Sequence, residues 1–358
     1  MTHLFSTHTA PWRKHWRGAW LAALGCAGWM GATAHAGTGL TTLPATAARG
    51  PVSVYYPTTA ADEAVTRGPI TLSAAPDGTP ERGNGRLIVF SHGSGASPWV
   101  YADLARHLVA AGYIVALPEH QGDNWQDLSK IGPESWMLRP REVSAAIDAL
   151  VDDPRFAPWF DARRVGAWGM SAGGHTTLTL AGGRWSRARQ LAHCEQHLAA
   201  DFAACTGGAA ELTGGALDGL KQTVARAIIR WKLSGDTEDH GHTDARIRAI
   251  VAGVPWAADF DPASLARPVV PLGLIQARGD IWLRPQFHSG PVMAACRPCE
   301  VVADLPTAGH GALLSPLPPQ ESPRIQRLIA DPPGFDRAAV LPGLHAAIRA
   351  FFDRHLLP

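Results

Sequence analysis

The chain lacks a surplus of charge of either sign. It carries 32 Lys and Arg against 31 Asp and Glu over 358 residues, for a net charge of +1. That removes any strong argument for nucleic acid or an anionic surface as its main partner. It has no internal repeat and no low-complexity tract, which excludes solenoids and disordered linkers. Past the first 36 residues no apolar run is long enough to span a bilayer. Cysteine is scarce, with five residues. What the chain has in quantity is apolar sequence, 46%, enough for a full core.

The first residues differ from the rest. Arg13, Lys14 and Arg17 form a basic start, Ala19 to Met30 is apolar, and Ala34-His-Ala36 is a small-x-small triplet. This order predicts a secretory signal peptide over residues 1–36, cleaved after Ala36, and a secreted or periplasmic product. A lipoprotein anchored at Cys26 is the lesser alternative, because Ala23 stands where a Leu is usual. Cleavage leaves Cys194, Cys205, Cys296 and Cys299, an even set that suits disulfides in an oxidising compartment. Short spacing favours Cys194–Cys205 and Cys296–Cys299, although four cysteines allow three connectivities. A zinc site on Cys296-x-x-Cys299 is the weaker reading, with no second Cys or His pair nearby at finger-like spacing.

From residue 51 strands and helices alternate. Pro51 to Tyr56, Arg86 to Phe90, Gly112 to Leu117, Arg164 to Gly169, Ile247 to Val254 and Val269 to Gln276 read as strands, and Cys299 to Ala303 as a shorter one. Ser97 to Ala111, Pro140 to Val151, Ala172 to Leu180 and Val340 to Leu356 read as helices, with Pro140 near the start of its own. The pattern predicts an α/β chain with a mostly parallel sheet. Residues 184–245 break the rhythm with helical pieces, a Gly-rich middle and two cysteines, and read as an inserted lid or cap within a domain spanning 37–358.

The pentapeptide Gly169-Met-Ser-Ala-Gly173 falls between an apolar strand and a helix. A G-x-S-x-G sequence in that context forms a tight turn that lifts the serine hydroxyl into a cleft. Ser171 is thus the expected nucleophile, where the bland alternative is a serine N-cap. Such a serine needs a base and the base needs a carboxylate, in the chain order Ser, acid, His. Asp280, in the loop after a late strand, and His310, between Gly309 and Gly311, fit that order. Asp259 and Asp261 are rival acids after the preceding strand. The oxyanion donors are expected at the N–H of Ala172 and, in the loop Ser91-His-Gly-Ser-Gly95, at the N–H of Ser94.

Leu87 to Gly95, Gly112 to His120, Gly169 to Gly174 and Ala308-Gly-His310 resemble the predicted dienelactone-hydrolase group of the α/β-hydrolases. That group is similar to platelet-activating-factor acetylhydrolases and cutinase-like polyester hydrolases. The resemblance covers most of residues 51–356 and implies the α/β-hydrolase fold with a central sheet flanked by helices. It departs from its namesakes twice. A serine stands where true dienelactone hydrolases carry cysteine, which speaks against dienelactone itself. The segment Gly253-Val-Pro-Trp256, where the acetylhydrolases place their acid, has no carboxylate; this favours Asp280.

Trp99, Trp125, Met170, Trp256 and Trp282 are candidates for an apolar acyl pocket, with core packing as the alternative. Asp239-His-Gly-His242-Thr-Asp244 has the residue types of a metal loop but reads as a solvated linker. His120 and Asp123 are expected to border the cleft or to form a structural turn. The sequence therefore predicts a secreted serine carboxylester hydrolase, with no cofactor and no metal and with small or polymeric esters as substrates. An amidase or peptidase with the same triad, a lipid acetylhydrolase, and a non-catalytic binding protein are the alternatives.

Overall fold

The computed structural model describes residues 37–319 and 322–358. The expected leader, its cleavage point after Ala36, and Cys26 lie outside the described residues. The strands are β1 (Gly37–Leu43), β2 (Val52–Thr58), β3 (Glu63–Arg67), β4 (Ile70–Pro76), β5 (Leu87–Ser91), β6 (Ile114–Pro118), β7 (Val165–Met170), β8 (Ile247–Gly253), β9 (Leu272–Ala277) and β10 (Glu300–Leu305). They form one sheet in the order β10-β9-β8-β7-β5-β6-β2-β1-β4-β3. From β10 to β6 every pairing is parallel. Beyond β6, strands β2 and β1 run antiparallel, and the hairpin β3–β4 closes that edge.

The helices are α1 (Ala102–Ala110), α2 (Pro133–Asp152), α3 (Ala172–Leu180), α4 (Arg187–His197), α5 (Phe202–Cys205), α6 (Asp218–Leu233), α7 (Ser289–Ala295), α8 (Pro323–Ile329) and α9 (Arg337–Leu356). Strands β5 and β7 are buried along their whole length, which is why they read as continuous apolar runs rather than alternating ones. Their side chains still divide between two layers. Ile88, Phe90 and Trp168 pack with Leu104 and Leu108 of α1 and Ile348 and Phe352 of α9. Leu87, Val89 and Ala167 pack with Val143 and Ile147 of α2 and Leu178 of α3. Helices thus cover both faces, as a parallel sheet requires.

Two expected elements are corrected. Helix α2 starts at Pro133, not at Pro140. Pro133 occupies the first turn, where a missing N–H costs nothing, and Pro140 is an interior residue of the helix. Strand β9 starts at Leu272, because Val269 sends its N–H to Ala181 of the preceding helix end and is 63% exposed. Strands β1, β3 and β4 and helices α7 and α8 were not foreseen; they are short and carry Gly, Thr or Pro in place of a clean apolar period.

Residues 184–245 hold α4, α5 and α6 between α3 and β8. These helices share a small core of Cys194, Leu198, Phe202, Cys205, Ile229 and Leu233. Cys194 is joined to Cys205, and Cys296 to Cys299. The loop Asp239–Asp244 is occupied by structural contacts: Asp239 pairs with Arg189, the Nε2 of His242 bonds the Ser144 hydroxyl, and Asp244 pairs with Arg246.

On the other layer His345 of α9 is buried beside His107 of α1, with ring centroids 5.8 Å apart. Burial first, and then His107, push the His345 pKa down to about 4. An unfolded chain takes up this proton near pH 6.5, so the contribution to stability is complete above about pH 6.5 and is lost as the pH falls toward 4. His345→Leu should lose less stability than the parent chain over that interval, by about 2–3 kcal/mol. Denaturant melts at both ends of the interval measure the difference, and equal losses in the two proteins would contradict it.

Candidate active site

The loops after β5, β7, β9 and β10 meet at the C-terminal edge of the parallel strands, where α/β sheets place their ligands. At the centre Ser171 follows β7 directly and has φ +59 and ψ −118. A non-glycine residue in that region carries strain of about 1–3 kcal/mol and persists only where its surroundings hold it. Here the Ser171 N–H donates to Gly253 O at 3.0 Å, and the Trp256 N–H donates to Ser171 O at 3.1 Å. The flanking glycines are steric necessities. A side-chain carbon at Gly173 would lie 1.8 Å from Ser91 O, and one at Gly169 would lie 2.1 Å from Gly173 O. Only with both absent can α3 begin immediately behind β5 and β7.

The Ser171 hydroxyl lies 3.0 Å from His310 Nε2, and His310 Nδ1 lies 2.6 Å from Asp280 Oδ2. The other carboxylate oxygen of Asp280 accepts the N–H groups of Trp282 and Leu283 at 2.8 and 2.9 Å. The Gly279 N–H donates to Ala308 O, which ties the acid loop to the histidine loop. The rival acids are engaged elsewhere. Asp259 is fully buried against His175 Nε2 at 3.2 Å, and Asp261 caps the turn beginning at Pro262.

The backbone of Gly93 lies against the serine; a side-chain carbon there would sit 3.6 Å from Ser171 Cβ. In this loop the Gly93 N–H donates to the Tyr101 hydroxyl at 3.0 Å and the Gly95 N–H to Asp123 Oδ1 at 3.0 Å. Between them the N–H of Ser94, like that of Ala172 at the start of α3, has no partner among the described residues. Ala172 is buried and Ser94 is exposed, and two N–H groups left unpaired beside a strained serine are donors that an anion could accept.

This loop is shaped from behind by charge. Asp123 and Arg139 form an ion pair at 2.8 Å with both side chains fully buried. Asp123 Oδ1 accepts the Ser94 hydroxyl at 2.6 Å and Oδ2 accepts the Ser135 hydroxyl at 2.6 Å, while Arg139 also donates to His92 O. Burial alone would raise the Asp123 carboxyl, but the guanidinium and the two hydroxyls outweigh it and hold it well below the usual carboxylate range. His92 and His120 lie beside this pair with their rings tilted and 4.7 Å apart. Burial first, then His120 and Arg139 for His92 and Arg139 for His120, hold both imidazoles well below their ordinary pKa. As neutral rings their contacts fall into place: His92 Nδ1 donates to Gly93 O and its Nε2 accepts the His120 N–H, while His120 Nδ1 donates to Glu142 and its Nε2 accepts the Ser91 hydroxyl. His120 and Asp123 therefore serve the loop structurally. Arg139, Ser135, Glu142 and Tyr101 were not foreseen; Ser135 and Arg139, four residues apart on one helical face, were the available signal.

The aromatic candidates separate. Trp125 is 43% exposed and meets the partly buried Trp99 edge-on. Trp256 and Trp282 are buried, with the Trp256 N–H on Ser171 O and the Trp282 N–H on Asp280, and Trp282 packs against Gly208 of the 184–245 segment. Met170 is corrected: its side chain is buried in the α1–α9 layer with its sulfur near the Tyr101 hydroxyl, because residues before and after it alternate across β7. In the 184–245 segment His193, Asp201 and Cys205 bring metal-type donors within 4.8 Å of one another. However, Cys205 is bound in a disulfide, and Asp201 Oδ2 already accepts His193 Nε2 at 2.8 Å and His288 Nε2 at 3.1 Å.

Asp123→Ala would strand the Arg139 guanidinium in the core and remove the anchor of Ser94. A loss of about 3–5 kcal/mol of stability is expected. Asp123→Ala combined with Arg139→Met should regain part of it, and melts of the three proteins decide the matter. Equal stability of the parent and the single variant would contradict the account.

Residues 74–127, which include β5, the Ser91–Gly95 loop, α1 and β6, match the family model of platelet-activating factor acetylhydrolase, isoform II. The matched stretch does not reach Ser171, Asp280 or His310. No curated protein matches the chain significantly. Among solved structures, the chain is similar to a ferulic acid esterase from Streptomyces cinnamoneus, with a TM-score of 0.56, 18% identity and coverage of 89% of each chain. Strand order, the strained serine turn and this likeness place the chain among proteins of the α/β-hydrolase fold.

Proposed function

We propose that the chain is an exported serine carboxylester hydrolase that works through an acyl-enzyme. The observation that carries the reading is the continuous chain of hydrogen bonds Ser171–His310–Asp280 beside two unpaired N–H groups. In the proposed cycle the Ser171 oxygen attacks the ester carbonyl while its proton passes to His310 Nε2. The N–H groups of Ser94 and Ala172 receive the negative charge of the tetrahedral intermediate, each such donor being worth about 2.7–4 kcal/mol where one has been removed. Asp280 holds the His310 tautomer and stabilises the imidazolium. Collapse expels the alcohol with the proton from His310, and a water activated by the same histidine then releases the acid.

The family match over the oxyanion segment and the likeness to an esterase support ester chemistry. Export is supported by the leader pattern of residues 1–36 and by the two cysteine pairs. Among the described residues no helix is long and apolar enough to cross a membrane. The 184–245 segment, which covers Trp282 next to the acid, is read as a cap that bounds the acyl or alcohol site.

Short-, medium- and long-chain p-nitrophenyl esters test the reading. Ser171→Ala should abolish turnover, and undiminished activity would overturn the nucleophile. Asp280→Asn should lower kcat by about 10⁴-fold, the cost of a wrong histidine tautomer. A comparable loss in Asp259→Asn with none in Asp280→Asn would move the acid to the preceding strand.

A further inference from the structure

The sequence as a whole is nearly neutral, but one helix is not. Along α6 and its first flanking residue, Leu217, Leu220, Val224, Ile228 and Trp231 are all exposed, Trp231 by 79%. Their spacing of three and four residues puts them on one face. The opposite side of the helix supplies Ile229 and Leu233 to the core under the segment, so this stripe is not a misplaced interior face. It is a second apolar face on an otherwise partnered helix. Single exposed apolar residues are ordinary, whereas a contiguous row marks an interaction surface.

Charge selects the occupant. Helix α6 carries Lys221, Arg226, Arg230 and Lys232 against Asp218 alone. Lys221 pairs with Asp218, and Arg230 with Glu195 of α4, which leaves the patch positive. Lys221 and Lys232 fall at one flank of the apolar row. Docking on a second copy by the same face would set these cationic flanks against each other. An apolar face on a net basic helix, with Lys232 at its edge and a tryptophan at its end, is the pattern of a helix that lies in a bilayer interface. The row is therefore complementary to an anionic lipid surface.

We propose that the exposed face of α6 docks the protein on an anionic phospholipid bilayer. Leu220, Val224, Ile228 and Trp231 enter the boundary between headgroups and acyl chains, and Lys232 at the flank of the row extends to the phosphates. The proposal stands apart from the hydrolase reading, since it concerns binding and not turnover. The two meet in space through the same segment, because Gly208 packs on Trp282, two residues from Asp280.

Flotation of the full exported chain with vesicles tests it. Vesicles of phosphatidylcholine mixed with phosphatidylglycerol should carry the protein, pure phosphatidylcholine vesicles should bind it at least about tenfold more weakly, and salt should weaken binding to the mixed vesicles. Leu220→Ser with Trp231→Ser should weaken binding to the mixed vesicles by more than about tenfold, while turnover of a soluble short-chain ester stays at the parent level and reports an intact fold. Lys232→Glu, an exposed change, should weaken it by about fivefold or more and keeps the test open if the double variant fails to fold. Absence of binding to mixed vesicles, equal binding to both vesicle types, or unchanged binding by Lys232→Glu would overturn the proposal. So would a dimer in sedimentation that the double variant dissolves, which would assign the face to a second copy.

Discussion

The buried pair of Asp123 and Arg139 is the constraint on which the site depends. Neither charge reaches solvent, so each must be satisfied by the other and by hydrogen bonds, and removing either is far costlier than the pair is stabilising. The carboxylate spends its capacity on one loop: it takes the hydroxyl of Ser94, the N–H of Gly95 and the hydroxyl of Ser135. The guanidinium takes the carbonyls of His92 and Asp123. Between them they hold the residues after β5 from both sides of the backbone. A loop that must present an N–H to a developing charge gains from being fixed in advance, because no reorganisation is then needed during reaction.

The proposed nucleophile is held by different means. The positive φ of Ser171 is maintained by backbone hydrogen bonds to Gly253 and Trp256 and by the close approach of α3 to β5 through Gly173. Strain at one residue is thus supported by three strands and a helix. The acid and the histidine come from loops after β9 and β10, tied to each other at Gly279 and Ala308. The proposed triad therefore needs the sheet for its geometry, while the oxyanion loop needs the ion pair.

Much of this was legible in the sequence, for a physical reason. Strand β7, the pentapeptide and α3 form one local unit in which apolar run, glycines and helix period all point the same way, and Ser171 follows from them. Asp280 and His310 follow from chain order. What was missed is what local pattern cannot show. The helix read as starting at Pro140 in fact starts at Pro133, and the seven residues lost at that end included Ser135 and Arg139. Asp123 was thus seen without its partner and read as a cleft-edge residue or a turn. Met170 was read as a candidate for the pocket with core packing as the alternative, and the two-residue period of β7 turns it into the core. The near-neutral total charge likewise hid the basic character of α6, since a sum over the chain carries no information about one face.

The 184–245 segment raises the question of how far the proposed cap could move. Its Asp201 is 2% exposed and accepts His193 and His288. His288 in turn accepts the Ala257 N–H, next to the Trp256 N–H that bonds Ser171. Burial would raise the Asp201 carboxyl, but the two histidines outweigh it and hold it below its ordinary value. Lifting the whole segment would break the Asp201–His288 bond and take from a buried anion one of its two partners, a cost of about 1–3 kcal/mol. The disulfide between α4 and α5 further joins the parts around Asp201. The stretch from Gly207 to Gly219 is rich in glycine and is held by Gly208 on Trp282 and by the exposed contacts of Arg324 with Gly207 O and Arg327 with Glu211; exposed pairs contribute little, so displacement costs least there. Access to the site is therefore better served by movement between α5 and α6 than by a hinge of the segment as one body, and that is also the stretch that connects the exposed face of α6 to the acid loop.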